Sequence, residues 1–208
     1  KLERDIQRMF ETNMSEIMRL EMIKSEFTIK DRRIDTLAFD PQSKAFVIIE
    51  YKRERNSSVI DQGFTYLSLM LQNQADFILE YNETQAGNLK RNDVDWSQTK
   101  VVFVSQGFTP NQREAVNFKD LSIELWEVKR YENDSVFITP IRKSHASASI
   151  KTVMQNSPEF KEVTEKIKEY SEENLLKGKS DDVVELYESY KNAILNLNTE
   201  IEVKPQKW

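Results

Sequence analysis

Cysteine is absent from the 208 residues, and histidine occurs once, at position 145. Without cysteine there is no disulfide framework, no thiolate nucleophile and no zinc site of the Cys type. The lone His145 also excludes a histidine metal cluster within one chain. Any bound metal must sit on oxygen ligands, which favours a hard cation such as Mg²⁺ or Mn²⁺. No apolar run approaches the ~20 residues that span a bilayer, so no membrane partner is expected. Residues 1–10 read as an amphipathic helix and not as a signal peptide, and a cytoplasmic setting is the expectation. Positive charge is not in excess either: the net charge is −5. Residues 1–150 hold 21 basic and 23 acidic side chains, and the remainder 9 and 12. Neither part is polybasic, so binding to nucleic acid would need a local basic rim.

What is present suits a folded domain. Hydrophobic residues make up 38% and aromatics 10% of the chain, enough for a sizeable core and unlike a disordered chain. Helical spacing over 1–19 is followed by strand-like runs at 20–29, 34–39 and 45–51. Asp40-Pro41-Gln42-Ser43-Lys44 is a strong turn signal between the last two, giving a meander of three antiparallel strands. Phe46-Val47-Ile48-Ile49 is apolar at consecutive positions, as in a strand buried on both faces. A helix over 59–74 contains Gly63, where close approach of a neighbouring backbone would account for the missing side chain. Strands are expected at 76–81 and 100–105, separated by a polar loop over 82–98. A short helix follows at 109–118, then a hairpin of 122–131 and 135–141. The domain so defined spans 1–143. The small, polar stretch Ser144 to Ser149 marks a linker over 144–158. Residues 159–208 form a helical segment with helices at 159–177 and 181–197. Its end, at 201–203, reads as a strand that begins and is cut off, as in a truncated domain.

Chemistry concentrates at Asp35, Glu50 and Lys52. Strand side chains alternate, so positions 50 and 52 project to one side. A hairpin folded symmetrically about position 42.5 sets Asp35 opposite Glu50. Two carboxylates side by side repel each other unless a cation lies between them, which marks both as metal ligands. Lys52 beside them can hold a water or offset charge growing on a phosphate oxygen. The simpler alternative is an ordinary Asp35–Lys52 ion pair with Glu50 solvated. The buried run leading into Glu50 weighs against it, because charges that end such a strand sit at the sheet rim. Gln62 and Tyr66, four apart on the next helix, share a face that can look toward the carboxylates.

The pattern Arg33-Ile34-Asp35, Ile48-Ile49-Glu50-Tyr51-Lys52 and Gln62-x-x-x-Tyr66 resembles the PD-(D/E)XK nuclease superfamily. Its nearest likeness is to the branch with RecB-type nuclease domains and archaeal NucS endonucleases. The resemblance covers roughly residues 1–105, although Ile34 stands where the family name has Pro. It implies a restriction-endonuclease-like α-β-β-β-α-β core with a mixed central sheet. It also implies metal on Asp35 and Glu50, Lys52 assisting attack, and Gln62 and Tyr66 supporting the site and contacting DNA. Glu3 is the candidate for a first-helix glutamate facing the metal. The tail around residues 174–180 resembles an uncharacterised domain appended to such proteins.

A cation rim of Lys30, Arg32, Arg33, Arg53 and Arg55 would offset the acidic total, with Arg33, Arg53 and Arg55 the candidates for phosphate contact. Trp96, Trp126 and Phe108 are read as packing, not as base-stacking platforms. The function expected is a Mg²⁺- or Mn²⁺-dependent deoxyribonuclease, endo- or exonucleolytic, cutting by a metal-activated water. The alternative is a module that binds nucleic acid or protein on the same fold without cutting. DNA is the expected partner, and cutting of both strands would call for a homodimer, for which no interface is legible.

Overall fold

The polar break at Asn13 divides the expected first helix in two. Helix α1 (Leu2–Thr12) carries Ile6, Met9 and Phe10 toward the core, and α2 (Met14–Met18) follows. The Asn13 side chain donates to the Met9 carbonyl at 2.8 Å, competing with the helical ladder at that point. Three strands then run β1 (Glu21–Ile29), β2 (Arg32–Asp40) and β3 (Ala45–Lys52). The turn between β2 and β3 is held by Asp40 Oδ1, which accepts from the backbone N–H of Gln42 at 2.9 Å and of Ser43 at 3.2 Å. The register follows from that turn. Thr36 faces Ile49, Phe39 faces Phe46 and Asp40 faces Ala45, the symmetric pairing about 42.5.

This computed structural model describes residues 2–52, 58–118, 120–133, 135–144, 163, 166, 172–197, 201, 203 and 205. Helix α3 (Val59–Gln72) starts at Ser58, whose hydroxyl accepts from the Asp61 N–H. Helix α4 (Gln74–Gln85) comes next, and two short 3₁₀ turns, Arg91–Asp93 and Trp96–Gln98, lead to β4 (Lys100–Ser105). Helix α5 (Pro110–Ala115) has Thr109 and Gln112 as a reciprocal capping box, and β5 (Ile123–Arg130) and β6 (Val136–Pro140) complete the sheet. Strand order is β1-β2-β3-β4-β5-β6, with β3, β4 and β5 mutually parallel and the other neighbours antiparallel. The α/β class and the mixed sheet are therefore as expected.

One element is corrected. Residues 76–81 belong to α4 and not to a strand. The run Phe77-Ile78-Leu79 is too short for its period to separate the two states. Phe77 and Tyr81, four apart, pack together into an aromatic cluster with Phe39 and Phe46, and Leu79 is left exposed. That cluster also takes Trp96, stacked on Phe46 with ring centroids 5.4 Å apart.

The sheet separates two cores. On one face Ile34, Leu37, Phe46, Ile48, Phe103 and Ile123 pack under α3 and α4. On the other Ala38, Val47, Ile49, Tyr51, Val102 and Val104 pack with Phe10 of α1 and Met14 of α2. Strand β3 is buried at every position but its last. Gly63 is explained by a side chain and not, as expected, by a backbone. A Cβ there would lie 2.3 Å from Ile123 Cδ1 and 3.4 Å from the Phe103 ring.

The chain divides into two compact units, residues 1–168 and 169–208. Val163 is buried in the core of the first. The second holds α6 (Glu172–Leu176) and α7 (Asp181–Leu195), with Asp181 and Asp182 in the first turn of α7 and Lys191 paired with Glu172. Apart from Ser144, the linker expected over 144–158 lies outside the described residues, as does His145. Ile201 and Val203 are not in a strand. Among the described residues no helix is long and apolar enough to cross a membrane.

Candidate metal centre

The same register places the site. Continuing the β2–β3 pairing one rung past Thr36–Ile49 brings Asp35 and Glu50 together at the rim. Asp35 Oδ2 accepts from the Tyr51 N–H at 3.0 Å, which locks its carboxylate against the end of β3. Glu50 is buried. Its Oε1 accepts from Lys52 Nζ at 3.3 Å and from Gln62 Nε2 at 2.9 Å. Its Oε2 is buried and takes no hydrogen bond of normal geometry. Lys52 Nζ also lies 5.8 Å from the centroid of the Phe103 ring.

Helix α3 presents Gln62 and Tyr66 to the carboxylates. The Gln62 amide donates to both Glu50 and, at 3.1 Å, the Tyr66 hydroxyl. The Tyr66 proton has two acceptors in reach, the Arg33 carbonyl at 3.3 Å and the Glu50 carboxylate. Burial, and next the charge of Glu50, push the Tyr66 phenol up to about 12, so it stays protonated and is a donor. Burial also raises Asp35, with Glu50 adding to it, to about 6, against the opposing Tyr51 N–H and Lys52. A carboxylate held that high next to a second one is short of positive charge.

Five of the residues singled out in the sequence, Asp35, Glu50, Lys52, Gln62 and Tyr66, thus meet at one point. The others are placed differently. Glu3 is half-buried in the first turn of α1, and among the described residues no three acidic side chains gather as a metal cluster. Arg33 is exposed and its Nε lies 2.9 Å from Glu26 Oε2, so its charge is already partnered. Arg53 and Arg55 lie outside the described residues. Phe108 is buried, and the Trp126 indole donates to Glu124 at 3.1 Å, both in keeping with packing.

A further residue, Gln7, was not anticipated. Its buried amide donates to the Asp35 carbonyl at 3.1 Å and to Glu11 Oε1 at 3.0 Å. Its signal was the spacing Glu3, Gln7, Glu11, four apart on one face of α1.

The donor set fits a hard divalent cation. Two acidic side chains meet there, one of their oxygens is buried and bare, and the other carboxylate resists ionisation. A cation on the Oε2 side of Glu50 would leave Oε1 to Lys52 and Gln62.

No family model matches the chain. It is 55% identical over 207 residues to an uncharacterised protein of Haemophilus influenzae, a match covering all of this chain and 68% of that protein. The chain belongs to the same family as that protein. Among solved structures, the EndoMS–double-stranded DNA complex is 15% identical with a TM-score of 0.41, covering 60% of this chain and 44% of that one. A repair endonuclease from Pyrococcus abyssi is 15% identical with a TM-score of 0.34, covering 58% and 45%. SfsA of Pyrococcus furiosus, solved with Ca²⁺, is 12% identical with a TM-score of 0.33, covering 68% and 63%. The chain thus corresponds to less than half the length of the first two.

Proposed function

We propose that the chain carries a Mg²⁺- or Mn²⁺-dependent deoxyribonuclease site. The observation that supports this most is the buried Glu50 carboxylate, whose Oε2 is without a partner and whose charge helps to raise Asp35. Asp35 and Glu50 would hold the cation, which when bound would polarise a phosphate and lower the pKa of a water. Lys52, at hydrogen-bonding distance from Glu50, would meet the charge that develops on the phosphate oxygens. Gln62 keeps Glu50 in one rotamer by holding Oε1. Tyr66 carries its proton at neutral pH and donates it at the edge of the site, where a phosphate oxygen can accept it.

The test is hydrolysis of a panel of single-stranded, duplex and flapped DNA with Mg²⁺ or Mn²⁺. Cleavage should appear with wild type and fall by at least ~10³-fold in Glu50→Ala and Lys52→Ala, the scale on which charge-stabilising groups act. Binding of DNA without cleavage of any form, under either metal, would replace this reading with that of a binding module.

A further inference from the structure

The β1–β2 ladder has a gap beside the metal-binding strand. Its rungs pass from Ser25–Thr36 to Phe27–Ile34, and among the described residues none joins Glu26 to Asp35. The gap has a backbone cause: Glu26 stands at φ 53, in the left-handed region, within a strand. A non-glycine residue there is strained, and such strain persists only where the surroundings enforce it. Turning that peptide removes the ladder partner from the backbone of Asp35.

Gln7 fills the gap. Its Nε2 lies 3.1 Å from the Asp35 carbonyl, 3.3 Å from Ser25 Oγ and 3.4 Å from Glu26 Oε1. It is itself held by Glu11 Oε1 at 3.0 Å, and the same Glu11 oxygen accepts from the Thr36 hydroxyl at 2.6 Å. An amide from α1, on the opposite side of the sheet from Gln62, therefore substitutes for a missing strand bond at one residue only. That residue is the one whose side chain must meet Glu50.

We infer that Gln7 is a positioning residue for Asp35. By fixing the Asp35 backbone from behind, it sets where the carboxylate stands on the other face, and the Tyr51 N–H completes the grip at 3.0 Å. Glu26 supplies the opening in the ladder and Glu11 orients the amide. The inference rests on the metal-site reading for its consequence, but not for its geometry, and the two can be tested apart.

The variants are Gln7→Met, which keeps the length and loses both amide hydrogens, and Gln7→Asn, which keeps the amide but shortens its reach. The first measurement is amide hydrogen exchange by NMR on metal-free protein. Protection of the Tyr51 N–H, whose acceptor is the Asp35 carboxylate, should fall at least ~10-fold in both variants, with Val102 and Val104 of β4 unchanged. Unchanged Tyr51 protection in folded variants overturns the inference. The second is Mn²⁺ titration by calorimetry, where loss of an outer partner of a ligand weakens affinity by ~10–100-fold. Wild-type Mn²⁺ affinity retained in Gln7→Met and Gln7→Asn also overturns it. Absence of Mn²⁺ binding by wild type overturns the metal-site reading, and Tyr51 protection then decides the role of Gln7 alone.

Discussion

Asparagine in place of Asp35 should make the metal-free protein more stable at pH 8 and leave it unchanged at pH 3. The folded protein holds the Asp35 proton up to about 6, against an ordinary value of 3.8, chiefly because burial disfavours the charge and Glu50 repels it. A carboxyl raised on folding costs stability once it must ionise. The cost is absent below the unfolded value, grows between 3.8 and about 6, and is complete above that. At 1.36 kcal/mol per unit the full difference is about 3 kcal/mol, and partial exposure of the side chain reduces it to about 1–2 kcal/mol. For a chain of this size that corresponds to a rise in Tm of about 2–8 °C at pH 8. Asparagine keeps a carbonyl oxygen for the Tyr51 N–H, so that bond is retained. The assay is differential scanning calorimetry of wild type and Asp35→Asn at both pH values, in EDTA and then with Mn²⁺. Added Mn²⁺ should raise the wild-type Tm at pH 8 and leave the variant where it was, because only the wild type offers a site that the unfolded chain lacks. Equal melting of the two proteins at pH 8 in EDTA, or a variant less stable at both pH values, would refute the electrostatic reasoning.

Two further substitutions probe the surroundings. Gln62→Ala removes one of two donors to Glu50 Oε1 and leaves Lys52, so DNA hydrolysis should drop by ~10–100-fold without vanishing, measured as kcat/KM on the best DNA form. Gly63→Ala would set a methyl 2.3 Å from Ile123 Cδ1, and the strain of ~1–3 kcal/mol should exceed the ~1 kcal/mol of helix propensity gained. Urea unfolding checks this, and adding Ile123→Val, which removes Cδ1 and leaves Cγ1 at 2.9 Å, should recover part of the loss. Additive losses in the double variant would show that the contact is not the cause.

The surroundings of the candidate site were legible where they depend on local sequence. A turn of fixed length, centred between Gln42 and Ser43, determines the pairing around it, so the rungs from Asp40–Ala45 to Thr36–Ile49 could be found by counting. The two-residue period then put Lys52 beside Glu50. What escaped was set by contacts between distant segments. Nothing in Asp76-Phe77-Ile78-Leu79-Glu80-Tyr81 alone selects helix over strand; the choice is made by Phe39, Phe46 and Trp96, which receive Phe77 and Tyr81. Glu26 is not a glycine or asparagine, so its left-handed backbone carried no mark in the sequence. Gln7 was hidden for the same reason, since its task exists only once Glu26 has opened the ladder.

Strand β3 is buried at all but its last residue, with residues 45–49 paired to β2 and residues 47–52 paired to β4. Glu50 and Lys52 end that strand, where it keeps β4 as its ladder partner. Asp35 rides on β2 one residue past its last rung with β3, where the pairing with β1 is interrupted as well. The two carboxylates of the candidate site are thus anchored to strands that are held differently. A change at Gln7, Glu11 or Glu26 would therefore reach Asp35 without touching Glu50, so the candidate site can be retuned from that side alone.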